Sequence, residues 1–370
     1  MNSISQINKM GQSIWYDNVE RKLLVTGEMD RLIAQGIGGV TSNPTIFERA
    51  ITSSEAYDQD ILSAVLQNRS VDEIYDLLTF EDIRQVADLL IPVYEKSQHT
   101  DGFVSIEVPP TLSKNKEATI REAHRLYESI GRANVMIKVP ATSEGISAVQ
   151  QLIKDGIHVN VTLIFSVQTY KKVIEAYLSG LESRHRNGES LSVSSVASFF
   201  ISRVDTFVDR LIREQHLDSN LLGKAAIANA KIAYKLFEEA FSSARFEKLR
   251  SAGAQVQRPL WASTSTKDPN YSEMMYVSSL IGPHTVNTVP PNTLAAILKY
   301  DGPLTPTIHQ DSPESKALFM EYEQNGISLT AVTDQLLNEG LAAFEKSFEA
   351  LMANLRDKVQ QFQANVNSPS

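Results

Sequence analysis

The chain has 370 residues, of which 42% are hydrophobic and 21% charged, so it can bury a sizeable core as globular proteins do. It contains no cysteine, which excludes disulfide bonds, thiolate metal ligands and cysteine nucleophiles. The formal net charge is −9, and no basic stripe of the kind that binds nucleic acid stands out. These values predict a cytoplasmic protein with no nucleic-acid partner.

A membrane segment is not expected either. The first residues lack the apolar run of a secretory signal. The one long uncharged stretch, from Met274 to Leu298, contains three prolines and is interpreted as helix end, turn, strand and turn.

Eight short apolar runs recur along the chain, and the intervals between them carry helical periodicity. The runs are SIWYD (13–17), IGGVTS (37–42), FVSIEV (103–108), VMIKV (135–139), HVNVTLI (158–164), SVASFF (195–200), PLWAST (259–264) and HTVNTV (284–289). Strands that alternate with helices predict a parallel sheet, and eight of them predict a closed (β/α)8 barrel of the TIM type.

Three regions add length to the predicted barrel: helical insertions at about 45–101 and 203–257, and a C-terminal extension at about 311–362. The extension carries a stripe with steps of three and four residues, formed by Leu337, Leu341, Phe344, Phe348, Leu351, Leu355, Val359 and Phe362. This stripe predicts a long amphipathic helix packed against the barrel, or alternatively a lid or a subunit contact in a homo-oligomer. We predict one domain over residues 1–362 and a frayed tail at 363–370.

Polar residues lie near the ends of the predicted strands, where a TIM-type barrel builds its active site. The set comprises Asp17, Asn43, Glu107, Lys138, Asn160, Thr162, Ser198, Ser263 and Asn287. Because a buried polar group without a partner costs stability, a ring of such residues indicates a functional site at one mouth.

Lys138 and two carboxylates suggest covalent chemistry. Lys138 lies inside the apolar run VMIKV, and a lysine amine held neutral by burial can attack a carbonyl. Glu107 and Asp17 could carry the proton transfers that such a reaction needs. The alternatives stay open: Lys138 and Glu107 could form a structural ion pair, and Asp17 could cap a helix.

Amide and hydroxyl groups on neighbouring strands could bind a polar substrate. Asn43 precedes Pro44 and is equally suited to capping a helix. Asn160 and Thr162 share one face of their strand, where they could bind sugar hydroxyls or form interior hydrogen bonds.

A phosphate site is predicted beyond the sixth strand. Ser198 and Arg203 bracket a predicted helix start, where backbone N–H groups and a guanidinium favour an anion. Lys267, in the loop after the seventh strand, lies near the same mouth. The alternatives are a surface salt bridge from Arg203 to Asp205 or Asp209, and a solvated loop around Lys267.

Three stretches, GVTSNPTIF (39–47), VMIKVPATSEG (135–145) and NVTLIFS (160–166), resemble transaldolase motifs. The resemblance implies Schiff-base formation by Lys138, with no cofactor or metal. It further implies that Glu107 is an acid/base acting through a water that Thr162 helps to hold, and that Asp17 is the base for carbon–carbon cleavage.

The same resemblance assigns the substrate contacts and the reaction. Asn43 and Asn160 would hold the dihydroxyacetone part, and Ser198 and Arg203 the phosphate. Phe200 and Lys267 are predicted as further substrate-binding residues, which gives six such residues beside the four catalytic ones. A dihydroxyacetone unit would pass from sedoheptulose 7-phosphate or fructose 6-phosphate to glyceraldehyde 3-phosphate or erythrose 4-phosphate, as in the pentose phosphate pathway. Some family members have a second phosphate arginine after strand seven, whereas this chain offers only Lys267.

Three other functions are weighed against transfer. Fructose 6-phosphate aldolases of the same superfamily resemble transaldolases but have glutamine where this chain has Glu107, and tyrosine where it has Phe200. A metal-dependent barrel enzyme is disfavoured because the seven histidines form no ligand cluster in the sequence. A non-catalytic sugar-phosphate binding protein would not need an embedded lysine with two carboxylates.

Overall fold

The computed structural model describes residues 2–310 and 312–367, and it contains a closed barrel of eight parallel strands in the order β1 to β8. The strands are β1 Gln12–Tyr16, β2 Gly39–Thr41, β3 Phe103–Glu107, β4 Val135–Pro140, β5 Val159–Ile164, β6 Ser195–Phe200, β7 Arg258–Ala262 and β8 Thr285–Val289. Each strand pairs with its neighbours in sequence, and β8 closes onto β1. The predicted fold class is therefore confirmed.

All eight apolar runs form strands, with boundaries within two residues of the predicted ones. The strands are almost wholly buried, since only Ser13 and Arg258 are partly exposed. Burial on both faces, by the barrel interior and by the surrounding helices, explains why these strands read as continuous apolar runs.

Sixteen α-helices surround the barrel in the described part of the chain. They are α1 Ser3–Lys9, α2 Arg21–Val25, α3 Glu28–Ala34, α4 Pro44–Thr52, α5 Asp58–Leu66, α6 Val71–Lys96, α7 Lys116–Ile130, α8 Ser143–Asp155, α9 Val167–Arg186, α10 Ser202–Glu214, α11 Ala225–Phe241, α12 Ala244–Ser251, α13 Met275–Ser279, α14 Pro291–Lys299, α15 Ser312–Gln324 and α16 Leu329–Asn367. Both predicted insertions contain several helices, and no described helix is both long and apolar enough to cross a membrane.

Local capping fixes where several helices begin. Asn43 accepts a hydrogen bond from the backbone N–H of Ile46, and Pro44 occupies the first position of α4. Ser70 and Glu73 form the reciprocal capping box that their spacing predicts at the start of α6. These contacts stabilise the first turns of α4 and α6.

The long C-terminal helix α16 packs on the barrel and contacts α4, α5, α6, α10 and β5. The residues of its stripe are buried or partly buried, including Leu351 and Leu355 with no exposed surface. The helix is described as far as Asn367, within the predicted tail at 363–370, and residues 368–370 lie outside the described residues. One correction concerns the predicted turn after β8, where α14 begins at Pro291.

Candidate active site

The carboxyl ends of the strands enclose a cavity of about 280 Å³. Eight of the ten predicted site residues line it: Asp17, Asn43, Lys138, Thr162, Ser198, Phe200, Arg203 and Lys267. Glu107 and Asn160 are not among the lining residues. The cavity therefore brings together side chains from distant parts of the sequence at the end of the barrel where TIM-type enzymes place their chemistry.

Lys138 lies at the inner end of the cavity, with only 6% of its side chain exposed. Its Nζ is 3.2 Å from Glu107 Oε2 and donates a hydrogen bond of 3.1 Å to the carbonyl oxygen of Ser42. Strands β3 and β4 are neighbours, and their register places Glu107 directly opposite Lys138. This pairing brings the carboxylate to the amine. The amine is thus held by a carboxylate and a backbone oxygen while one side remains open to the cavity.

Glu107 is buried beside Lys138, and it faces a separate hollow of about 10 Å³. A space of this size holds about one water molecule. Neither carboxylate oxygen has a well-formed hydrogen bond in the described part of the chain, so the contact with Lys138 is an ion pair. Burial raises the pKa of Glu107, and the positive charge of Lys138 opposes that rise.

Asp17 follows β1 and lies on the cavity wall. Thr41 donates a hydrogen bond of 2.6 Å to Asp17 Oδ1, and its hydroxyl is also 2.6 Å from that of Thr288. Burial raises the pKa of Asp17, whereas the charge of Lys138 and the hydrogen bond from Thr41 lower it. Both carboxyls near Lys138 therefore have pKa values displaced towards neutrality, the range in which an acid/base group works best.

The two predicted β5 residues have different surroundings. Asn160 is fully buried, donates to Ser105 Oγ over 3.1 Å and accepts from Ser198 Oγ over 2.7 Å. These are the interior hydrogen bonds of the alternative interpretation, and they place Asn160 behind Ser198. Thr162 reaches the cavity, and its buried hydroxyl has no hydrogen-bonding partner among the described residues.

Backbone irregularities occur at two positions beside the cavity. The pairing of β5 with β6 shifts register between Val161 and Ile164, and Leu163 within that shift has a φ of 57°. Ser263, which lines the cavity after β7, has a φ of 56°. A positive φ is unfavourable for residues other than glycine, and such strain is concentrated at functional sites.

The far side of the cavity is positively charged. Arg203 and Lys267 both line it, and the Arg203 guanidinium lies 5.5 Å from the centre of the Phe200 ring. Burial of Arg203 and partial burial of Lys267 lower the pKa of each, and the charge of Arg203 further lowers that of Lys267. Two like charges that act on each other in one cavity favour an anionic ligand, which would relieve their repulsion.

The salt bridge considered for Arg203 as an alternative does not form. Asp205 instead accepts from the backbone N–H of Ala226 and the hydroxyl of Tyr276, over 2.7 and 2.9 Å. Asp209 likewise accepts from Gly223 and Tyr271. Arg203 therefore lines the cavity with no carboxylate within salt-bridge distance in the described part of the chain, and the nearby charge of Glu339 partly offsets the lowering of its pKa by burial.

Contacts with α10 hold the loop that carries Lys267. Tyr271 donates to Asp209 over 2.6 Å, and Arg213 forms an ion pair of 2.6 Å with Asp268. Because Asp209 and Arg213 belong to α10, whose second residue is Arg203, these contacts fix both cations to one helix.

Several cavity residues were not singled out from the sequence. The polar and aromatic ones are Thr41, Ser265, Thr288, Asn292 and Phe344. Thr41 ends β2 and Thr288 is the last residue but one of β8, so strand position could have found both. Phe344 could not be distinguished from the rest of the C-terminal stripe, because a residue that packs on the barrel and one that covers its mouth share the same spacing.

A sequence profile of the transaldolase/fructose-6-phosphate aldolase family matches residues 14–355. The chain belongs to this family. A relative named transaldolase 2 from a Nostoc species is 46% identical, and the match covers 97% of this chain and 98% of the relative. Relatives named transaldolase from Trichodesmium erythraeum and Saccharopolyspora erythraea are 45% and 42% identical, again over 97% of this chain and 98% of the relative.

Membership of the transaldolase/fructose-6-phosphate aldolase family agrees with the closed barrel and with the resemblance identified in the sequence. Within the described residues, no group of three or more histidine or carboxylate side chains is arranged to hold a metal ion. The polar groups of the cavity are instead an amine, two nearby carboxyls and a pair of cations, which suits acid/base and covalent chemistry on an anionic substrate.

Proposed function

We propose that this chain is a transaldolase that transfers a dihydroxyacetone unit from a ketose phosphate to an aldose phosphate through a Schiff base on Lys138. The observation that carries the proposal is the position of Lys138, which is buried against Glu107 and open to a cavity with two cations on its far side. Family membership and the transaldolase names of full-length relatives support the same activity. Sugar-phosphate substrates, a cytoplasmic location and one domain over residues 1–362 belong to this proposal.

The steps follow from the groups that line the cavity or lie beside it. The phosphate of the donor binds Arg203 and Lys267, which directs the carbonyl carbon towards Lys138. The amine of Lys138 adds to that carbon, and water leaves to give the iminium. Glu107 donates and accepts the protons of this addition through a water molecule. The hollow beside Glu107 has room for that water, and the Thr162 hydroxyl is free to bind it among the described residues.

Cleavage and transfer use Asp17. Its carboxylate removes the proton from the C4 hydroxyl of the donor, the C3–C4 bond breaks, and the electron pair passes to the iminium to give an enamine on Lys138. The shortened aldose phosphate leaves. The enamine carbon then adds to the aldehyde of the acceptor, Asp17 returns the proton, and hydrolysis frees the product. Asn43 lines the path and can bind the hydroxyls of the donor, and Ser198 lines it as a ligand of the phosphate together with Arg203.

A fructose 6-phosphate aldolase is the second candidate, because the family profile covers both activities. Such an enzyme would release free dihydroxyacetone without an acceptor. Those aldolases have glutamine at the position of Glu107 and tyrosine at the position of Phe200. Both residues of this chain therefore favour transfer. Measurement of free dihydroxyacetone with and without erythrose 4-phosphate separates the two activities.

Mass spectrometry after borohydride reduction with fructose 6-phosphate tests the proposal. We expect a three-carbon adduct on Lys138 that erythrose 4-phosphate depletes when it is added before the reductant. Asp17→Asn should instead trap the intact ketose phosphate, since the lysine still condenses but the C3–C4 bond does not break. A folded sample that forms no adduct on any lysine would refute the Schiff-base mechanism.

A further inference from the structure

Phe344 is the one aromatic side chain that α16 contributes to the cavity lining in the described part of the chain. It is only 5% exposed, and its ring centre lies 5.6 Å from Lys138 Nζ. The rest of the cavity lining is mainly polar or charged, with Phe200, Ala262 and Pro290 as its other apolar residues. The ring therefore forms an apolar wall over the nitrogen that carries the proposed covalent intermediate.

Contacts on either side of Phe344 hold that wall in place. One turn earlier, Gly340 lies so close to β5 that an added Cβ would be 3.0 Å from Leu163 Cδ2. After Phe344, Ser347 accepts a hydrogen bond of 2.8 Å from Thr45, and Phe348 packs edge-on against Tyr75 at 5.7 Å. Because α16 is fixed to β5, α4 and α6, the position of the ring is determined by the fold and does not depend on a bound ligand.

We propose that Phe344 is a specificity-determining residue that shields the three-carbon intermediate from water and so favours transfer over release. The inference rests on the function proposed above. Release requires the enamine carbon to take up a proton, water to add to the resulting iminium carbon, and the carbinolamine to collapse to dihydroxyacetone and the free amine. The net change consumes one water, as does the iminium hydrolysis that ends transfer, so the step that separates the two branches is uptake of a proton by the enamine carbon. Keeping water, the source of that proton, away from the enamine carbon slows release without blocking carbon–carbon bond formation.

The apolar ring acts on the protonation of the enamine carbon. It offers no hydrogen bond to a water approaching that carbon, and it occupies the space from which that water would come. An acceptor aldose, in contrast, is drawn to the opposite side of the cavity by Arg203 and Lys267.

Phe344→Ala and Phe344→Leu test this inference. The measured quantity is the ratio of free dihydroxyacetone released from fructose 6-phosphate to product formed with erythrose 4-phosphate. We expect this ratio to rise at least about tenfold in Phe344→Ala, since an opened apolar wall admits water to the reacting carbon. Phe344→Leu, which keeps most of the apolar volume, should lie much closer to the parent enzyme.

Leu351→Ala is the matched control, because Leu351 is fully buried on α16 but does not line the cavity. It loosens the packing of the helix and should leave the ratio unchanged. An unchanged ratio in Phe344→Ala, or an equal rise in Leu351→Ala, would overturn the role of the ring.

Borohydride trapping gives a second readout that a merely structural role would not change. In Phe344→Ala, the three-carbon adduct should decay faster after the donor is removed, while its initial yield stays near that of the parent enzyme. Equal decay rates in the two proteins would contradict the shielding role and leave the Schiff-base proposal intact. Absence of the adduct in the parent enzyme would instead refute the proposed function itself.

Discussion

Thr41 donates its hydroxyl hydrogen to Asp17 Oδ1 over 2.6 Å, at a position where burial raises the pKa of the carboxyl. The hydrogen bond favours the ionised form, which is the form that can accept a proton from the donor hydroxyl. Thr41 therefore helps to keep Asp17 usable as a base in a buried setting.

Removing that hydroxyl should shift the pH dependence of the reaction. In Thr41→Val the pKa of Asp17 rises further, so the base is ionised only at higher pH. We expect the acidic limb of the kcat profile to move to higher pH, while Thr41→Ser keeps the parent profile. Steady-state rates across the pH range check this, and identical profiles for Val and Ser would contradict it.

Glu107→Gln should slow the proton transfers of Schiff-base formation without leaving a void beside Lys138. The amide keeps the shape of the carboxyl but cannot exchange protons, so we expect kcat to fall by about 10²- to 10⁴-fold, the usual contribution of general acid–base catalysis. Single-turnover rates of adduct formation provide the measurement, and Glu107→Asp serves as the comparison that keeps the carboxyl. A Gln variant with parent-like rates would leave Glu107 as a structural partner of Lys138 only.

Arg203 and Lys267 should determine affinity for the phosphate rather than the rate of the chemical steps. Loss of a charge-assisted hydrogen bond costs about 1.5–3 kcal/mol, so Arg203→Met should raise KM for fructose 6-phosphate by roughly 10- to 150-fold. Lys267→Met should have a smaller effect, since Lys267 lies at the exposed rim. Fructose, which has no phosphate, is the control substrate, and an equal loss with fructose would argue against a phosphate site.

Asp205 should make the stability of the fold depend on pH. Burial raises its pKa to about 7, whereas in the unfolded chain the group titrates near ~3.9. Between these values the folded state holds a proton that the unfolded state has lost. This contribution to the free energy of unfolding is full below about pH 4 and is lost as the pH rises to about 7.

Asp205→Asn isolates this contribution. The amide oxygen can still accept from Ala226, and the amide nitrogen can donate to Tyr276. The free energy of unfolding of the variant, minus that of the parent enzyme, should increase as the pH rises from about 4 to about 7. Above about pH 7 this difference should stay constant. Denaturant unfolding at several pH values measures the difference, and a difference that does not change with pH would disprove the assignment.

The barrel could be predicted because its strands are buried on both faces and its helices are amphipathic, so each element has its own periodicity. An element that the sequence did not reveal is α14, whose signals conflict. Two prolines at 290 and 291 indicate a turn, yet Pro291 starts α14, because a proline is tolerated in the first turn of a helix.

Eight of the ten predicted site residues were found at the cavity because all parallel strands point their carboxyl ends to one mouth. Strand position did not predict depth: Asn160 lies in the same strand as Thr162 but is enclosed by Ser105 and Ser198. The contribution of Phe344 was also out of reach, since which turn of α16 crosses the mouth depends on tertiary packing.

The placement of Phe344 has a consequence for the order in which the protein is made. Lys138 and both carboxyls belong to the first half of the chain, whereas Phe344 belongs to the last helix. A growing chain that has just completed β8 holds every strand of the barrel but has no apolar cover over its lysine. We therefore expect a ribosome-bound chain ending before Leu329 to form a barrel whose amine is open to solvent and to any reactive carbonyl nearby, so that synthesis of α16 also ends this exposure.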